Sequence, residues 1–266
     1  MSTSSSKATK IVVFFLFLLG ISCKLIAQYR ILIEKDTIKD SSVVCINSDY
    51  RLEYKQLILP SIFIAYGAAN LNIKALKQLN FSARDEILEN NLAHTHLDNY
   101  TQFLPAAIVY GLDAVNIKGK HSFVDRTVIY ATSQLLSASM VFPLKYLVKE
   151  RRPDNSDYLS FPSGHTATAF SSAQFMFREY KDKNIWLSLS GYPIAVFTGI
   201  YRVINNKHWV GDVVAGAGFG ILSTDLAYWM YPQISTWLGR NKNKAQTMVV
   251  PFYQQGSYNI GFIRNF

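Results

Sequence analysis

Apolar and polar positions alternate along this chain in blocks whose length fits helices rather than strands. Mostly apolar runs at 101–117, 127–144, 158–177, 185–201 and 209–231 each predict a helix. None is as hydrophobic as a single-pass anchor, which wants about 20 apolar residues; Asp113 and Asp225 interrupt two of them. The stretch 57–73 is apolar but short and carries Pro60 and Gly67, so it is compatible with spanning, re-entering or lying on a membrane. Residues 78–99 read as a charged connector, and 29–56 as a polar external lead-in. Near the carboxyl end, Met248-Val-Val-Pro-Phe-Tyr253 and Tyr258-Asn-Ile-Gly-Phe262 flank Gly256 in the manner of a short hairpin.

At the amino end, Lys7 and Lys10 precede an apolar run from Ile11 to Ser22, and Leu25-Ile26-Ala27 stand before Gln28. That is the layout of a bacterial secretory signal or an uncleaved anchor. The expected organisation is therefore a signal peptide or anchor at 1–27, a polar lead-in with one short apolar segment at 28–99, a catalytic domain at 100–237 and a polar tail at 238–266. Cleavage after residue 27 would remove Cys23 and leave Cys45 alone, so no intrachain disulfide is expected in the mature chain.

Composition narrows the class. A chain of 266 residues, 49% hydrophobic and 14% aromatic, is ample for one helical domain. The excess of 27 Lys+Arg over 18 Asp+Glu is dispersed between apolar segments, with no basic run interleaved with aromatics. Nucleic acid is therefore not expected as a partner, and a membrane or an anionic lipid is. The mean hydropathy of +0.08 is low for a polytopic protein, which keeps a soluble periplasmic bundle open.

Three short polar clusters carry the candidate chemistry: Lys145-Tyr-Leu-Val-Lys-Glu-Arg-Arg152-Pro153, Phe161-Pro-Ser-Gly-His165, and Arg202-Val-Ile-Asn-Asn-Lys-His208-Trp-Val-Gly-Asp212. If the segments 166–177 and 186–201 between them are antiparallel helices, all three clusters meet at one end of a bundle. Lys145, Lys149 and Arg152, spaced by four and three, predict one cationic face at a helix end, closed before Pro153; Lys149 and Arg151 read as a solvated or membrane-flanking part of it. Ser163 predicts an N-cap and Gly164 a close approach to the backbone, together an anion site at a helix start. His208 and Asp212, four apart, predict a carboxylate that fixes the imidazole tautomer and leaves the other ring nitrogen nucleophilic. Arg202 supplies a fork for phosphate oxygens. A rival reading makes His94, His96 and Asp98 a metal site with one later histidine, but no fixed spacing completes the ligand set.

The pattern K-x6-R-P, P-S-G-H, R-x5-H-x3-D resembles the three-part signature of the phosphatidic acid phosphatase type 2 superfamily, which also contains bacterial class A acid phosphatases and vanadium haloperoxidases. The resemblance covers roughly residues 100 to 232, and in general look the chain is similar to the lipid A phosphatases of that superfamily. It implies Lys145, Arg152 and Arg202 as phosphate ligands, with Ser163 and Gly164 as phosphate-binding hydroxyl and amide. It further implies His165 as general acid, His208 as nucleophile and Asp212 as its partner, with no metal or cofactor. Tyr201 departs from the serine usual before the third-cluster arginine.

Charge bias orients the bundle. Basic residues at 118–126, 178–183 and 240–244 fall at the end opposite the clusters, and positive loops favour the cytoplasm. The site then faces the periplasm of a bacterial inner membrane, which requires 57–73 not to cross fully. The expectation is an all-α, membrane-embedded helical bundle with its site at one end. It would hydrolyse a lipid phosphate monoester or diphosphate through a phosphohistidine, on lipid A, a phosphatidate-type lipid or a polyprenyl diphosphate. The alternatives are a soluble class A-like acid phosphatase and a non-enzymatic membrane scaffold.

Overall fold

The computed structural model describes residues 52–90 and 92–239, and the backbone of 247–254 and 257–264. The proposed signal or anchor at 1–27, Cys23, Cys45 and the basic loop 240–244 lie outside the described residues. Described residues up to Trp229 form one compact unit and those from Met230 onward a second.

The first unit is all helix. In chain order it contains α1 (Tyr54–Asn70), α2 (Lys74–Glu89), α3 (Asp98–Thr101), α4 (Leu104–Ala114), α5 (Phe123–Val148), α6 (Gly164–Tyr180), α7 (Ile185–Leu189), α8 (Gly191–Ile204) and most of α9 (Val210–Trp237). The second holds the end of α9 and an antiparallel hairpin, β1 (Thr247–Gln254) and β2 (Ser257–Arg264), in which Gln254 pairs with Ser257.

Helix starts follow local capping chemistry. The Ser122 side chain accepts from the Asp125 amide at 3.3 Å while its hydroxyl donates to the Asp125 carboxylate at 2.6 Å, an acid in the first turn opposing the helix dipole. Asn184 accepts from the Leu187 amide and Ser163 from the Thr166 amide. Pro105 sits in the first turn of α4, where its missing N–H has no partner to lose.

Three helical segments, α5, α7 with α8, and α9, are long and apolar enough to cross a membrane. The apolar stretch 57–73 forms most of α1 and bends by 87° into α2, so the pair is a broken span or a re-entrant loop. The expected connector at 78–99 is largely helical instead. Asn80, Ala83, Glu86 and Ile87 recur at helical spacing along the buried side of α2, and Ala83 and Ile87 pack against Val203, Val210, Val213 and Val214.

At the centre is α6, which joins Ala169, Phe170 and Ala173 to Ala195 of α8 and to Ala217 and Ile221 of α9. Its polar residues point into the bundle. Ser171 bonds Ser133 of α5 at 2.7 Å and Thr224 of α9 at 2.9 Å, Ser172 bonds Tyr130 at 2.9 Å, and Asp225 accepts from Gln174 at 2.8 Å and Arg178 at 3.1 Å. Hydrogen bonds between helices are a common glue where no water is present to satisfy such groups. Asp225 thus interrupts an apolar run without facing lipid. The close crossing of α6 and α9 rests on Gly216 and Gly220, where an added Cβ would run into the backbone oxygens of Ser163 and Ala167.

The far end of α6 gathers the basic loops. Lys183 Nζ donates to the carbonyls of Lys118 and Gly119 at 2.8 and 3.0 Å, and the Lys120 amide donates to the Glu179 carbonyl. Ser163 starts α6 and Glu179 nearly ends it, so these loops lie at the end opposite the three clusters.

Candidate active site

The three clusters meet around the amino end of α6, as antiparallel packing of α6 and α8 requires. Lys145 and Arg152 do not share a helix face, however. The Lys149 backbone is left-handed at φ 52°, which ends α5 at Val148 and turns residues 149–163 into a loop. Likewise the run at 158–177 becomes helical only from Gly164. His208 precedes α9 rather than sitting on its first turn.

Each charged group is held by a specific contact. Lys145, mostly buried at the end of α5, donates from Nζ to the carbonyls of Leu159 at 2.7 Å and Ser160 at 3.3 Å. Arg152 returns from the loop with Nε 2.7 Å from Asp157 Oδ1. Arg202, buried near the end of α8, places Nη1 2.7 Å from Asp98 Oδ2, and its carbonyl accepts from the His208 amide at 3.3 Å. His165 Nε2 lies 2.9 Å from Asn99 Oδ1.

His208 is 2% exposed, and its Nδ1 lies 3.7 Å from Asp212 Oδ2, close to the carboxylate but beyond hydrogen-bond length. Asp212 Oδ2 instead accepts from Ser160 Oγ at 2.5 Å and from the Trp209 amide at 2.9 Å. Burial pulls the His208 pKa down to about 4, against the opposing pull of the Asp212 carboxylate. The ring is therefore neutral near pH 7, with a lone pair to offer.

One cavity of about 610 Å³ collects most of these groups: Lys145, Arg152, Gly164, His165, Arg202 and His208 all line it. Ser163 and Asp212 stand behind that wall. The Ser163 hydroxyl caps α6 and lies 2.9 Å from Thr166 Oγ1, and its amide donates to the Asp212 carbonyl at 3.0 Å, which ties the second cluster to the third. Three guanidinium or ammonium groups, a helix amino end and a buried neutral imidazole suit a tetrahedral oxyanion with a nucleophilic nitrogen beside it.

Four residues that bear on the site do not belong to the sequence signature. Asp98 and Asn99, which hold Arg202 and His165, come from the polar stretch before α4; Ser160 and Glu150 surround Asp212. Asp98 carried a faint signal as the last member of His94-Thr-His-Leu-Asp98. The metal triad does not assemble, since His94 and His96 are exposed while Asp98 is buried on Arg202. No cluster of three or more metal-ligand side chains occurs among the described residues. Tyr201 stacks on Phe197 with ring centroids 4.5 Å apart.

A lipid A 1-phosphatase from Porphyromonas gingivalis is 38% identical over 167 residues, covering 60% of this chain and 38% of its own length. This chain thus spans well under half of that relative. Phosphatidylglycerophosphatase B of Bacillus subtilis is 28% identical over 48% of this chain and 67% of its own, and the bacitracin transport permease protein BcrC of Bacillus licheniformis is 26% identical over 63% of this chain and 84% of its own. The family model described as the PAP2 superfamily matches residues 126–235, the stretch that contains all three clusters. Over that stretch the chain is similar to the PAP2 superfamily.

Proposed function

We propose that this protein is a membrane phosphatase that removes phosphate from a lipid through a phosphohistidine intermediate, without a metal. The observation that carries the reading is the course of the cavity. From Lys145 it follows α5 past Val141 and Ser137 to Gln134, eleven residues along a helix long and apolar enough to cross a membrane, or about 16 Å. Leu135, Phe142 and Leu147 on that helix are exposed. A phosphate among the cations thus continues into an apolar limb, which suits a headgroup phosphate with its chain lying along α5. The names of two relatives, a lipid A 1-phosphatase and a phosphatidylglycerophosphatase, point the same way.

In this mechanism Lys145, Arg152, Arg202 and the Gly164 amide hold the phosphoryl oxygens and neutralise the charge that builds on them. Ser163 serves as the cap that keeps that amide turn in place. The neutral Nε2 of His208 attacks phosphorus in line, the N–P bond forms, and the P–O bond to the lipid breaks. Asp212 stays ionised and stabilises the Nδ1–H as the ring gains positive charge. His165, pulled down to about 4 by burial and the Arg202 charge, takes up a proton once the negative phosphate lies beside it and gives that proton to the departing oxygen. Water, losing a proton to His165, then attacks phosphorus, and the N–P bond breaks to release inorganic phosphate.

On this reading the site lies on the periplasmic side of a bacterial inner membrane. Supporting this are Lys118, Lys120, Lys181 and Lys183 at the opposite end of the bundle, since positive loops favour the cytoplasm. The test is phosphate release from a panel of lipid phosphates, including lipid A, phosphatidate, phosphatidylglycerophosphate and a polyprenyl diphosphate, by detergent-purified protein. His208→Ala is expected to lose activity by several orders of magnitude while unfolding as the parent does. Near-normal turnover by that variant would remove the mechanism. Full extraction by salt without detergent would favour the soluble acid phosphatase.

A further inference from the structure

Glu150 takes no part in the mechanism above, yet it sits against its carboxylate. After the left-handed turn at Lys149, the backbone of residues 150–152 is held by three contacts, two within the loop and one to Trp209. The Glu150 carbonyl accepts from the Ser160 amide at 3.0 Å, the Arg151 carbonyl accepts from Trp209 Nε1 at 2.8 Å, and the Arg152 amide donates to the Asp157 carbonyl at 3.0 Å. So held, the Glu150 carboxyl lies within electrostatic reach of the Asp212 carboxylate. No N–H or O–H among the described residues reaches its buried Oε2.

Two carboxyl groups can bond only if one carries a proton. Asp212 already accepts from Ser160 Oγ and from the Trp209 amide, which stabilise it as the anion, whereas Glu150 has neither contact. The proton therefore belongs to Glu150. We infer that Glu150 is a positioning residue of this site: as a neutral acid it donates its O–H to Asp212 and holds that carboxylate facing Nδ1 of His208.

The surroundings agree. Burial, and after it the Asp212 charge, pushes the Glu150 carboxyl up to about 9, against the opposing pull of Lys77 on α2. The other charged groups of the pocket, His208 beside Asp212 and Lys145 at the end of α5, meet Glu150 through Asp212. Loss of the proton would set two carboxylates against each other and push Asp212 off the 3.7 Å contact with His208. Activity should then fall on the alkaline side as Glu150 ionises.

This rests on the phosphatase reading, and the two fail differently. The experiment measures kcat/KM between pH 6 and 10 on the best lipid phosphate of the panel, for the parent, Glu150→Gln and Glu150→Ala in detergent. An inactive parent would overturn the phosphatase reading itself. With an active parent, the expected result is an alkaline limb near pH 9 that moves up by at least about one unit in Glu150→Gln, which still donates an N–H but cannot ionise. Glu150→Ala, with no donor, should lose about tenfold or more across the range. Lys145 is untouched in both variants, so an alkaline limb that stays in place in Glu150→Gln would belong to it and would overturn the inference.

A second readout does not depend on turnover. Glu150 holds in the folded state a proton that the unfolded chain releases above its ordinary carboxylate range. Its contribution to thermal stability should therefore decline as pH rises from about 5 to 9. That decline should be smaller in Glu150→Gln, and smaller in Asp212→Asn if Glu150→Gln does not fold. An unchanged decline in either variant would overturn the inference.

Discussion

Replacing Gly216 by alanine should disable the site from behind, without touching any group proposed to meet phosphate. A Cβ at residue 216 would lie 2.5 Å from the Ser163 carbonyl oxygen and 3.2 Å from Thr166 Cβ. Ordinary contact begins at about 3.4 Å, so α6 and α9 must separate by about 1 Å locally. Neither partner can rotate away, because one is backbone and the other a β-branched carbon inside the first turn of α6. The displaced turn carries Gly164 and His165, and its amide at Ser163 is bonded to the Asp212 carbonyl, so the second and third clusters shift against each other. A misplacement of about 1 Å at a reacting centre costs on the order of 100-fold in rate, and overpacking of this kind costs about 1–3 kcal/mol of stability. The assay is kcat/KM for lipid phosphate release, paired with thermal unfolding of the same preparation. The control is Gly111→Ala on α4, where the added methyl meets nothing within 4 Å and activity should stay within about twofold. Gly216→Ala with parental kcat/KM would refute the claim that this glycine sets the spacing of the phosphate cradle.

Four further outcomes are expected. Asp98→Ala should leave Arg202 buried without its charge partner, lowering stability by about 3 kcal/mol and raising KM for the lipid phosphate; thermal unfolding and steady-state kinetics check both. Because the folded His208 resists protonation down to about pH 4 while an unfolded histidine takes a proton near 6.5, stability should fall as pH drops through that window. At pH 5 the loss is about 2 kcal/mol, and comparison of parent and His208→Asn by thermal unfolding isolates it. Activity should survive EDTA and be inhibited by vanadate, which fills a site built of Lys145, Arg152, Arg202 and the Ser163–Gly164 turn; loss in chelator restored by a divalent ion would refute the metal-free mechanism. With Cys23 and Cys45 replaced, an impermeant thiol reagent applied to cells with a permeabilised outer membrane should label Asn155→Cys and spare Lys183→Cys. The reverse pattern would place the site in the cytoplasm, and equal labelling would favour a soluble bundle.

Much of the site is legible in the sequence because its chemistry is local. Ser163 caps the helix it precedes, and the order of charged clusters and apolar runs is enough to bring Lys145, His165, Arg202 and His208 to one end of antiparallel helices. Each of the five apolar runs is helical over most of its length, since the periodicity that buries one face does not depend on what covers it. What covers it was decided by packing alone. The polar character of α6 weakens it as a membrane segment when read singly, yet Ser171, Ser172 and Gln174 meet partners on α5 and α9 that no spacing announces. The end of α5 at Val148 depends on a left-handed Lys149 that local propensity disfavours, and the 150–152 loop is held by Ser160 and Trp209 rather than by its own residues. Asp98 reaches Arg202 across 104 positions of chain, and Glu150 reaches Asp212 across 62. Short-range rules describe a residue and its neighbours three or four positions away. Which carboxylate faces which guanidinium, and which acid keeps its proton, emerges only when helices distant in sequence close around the same buried volume.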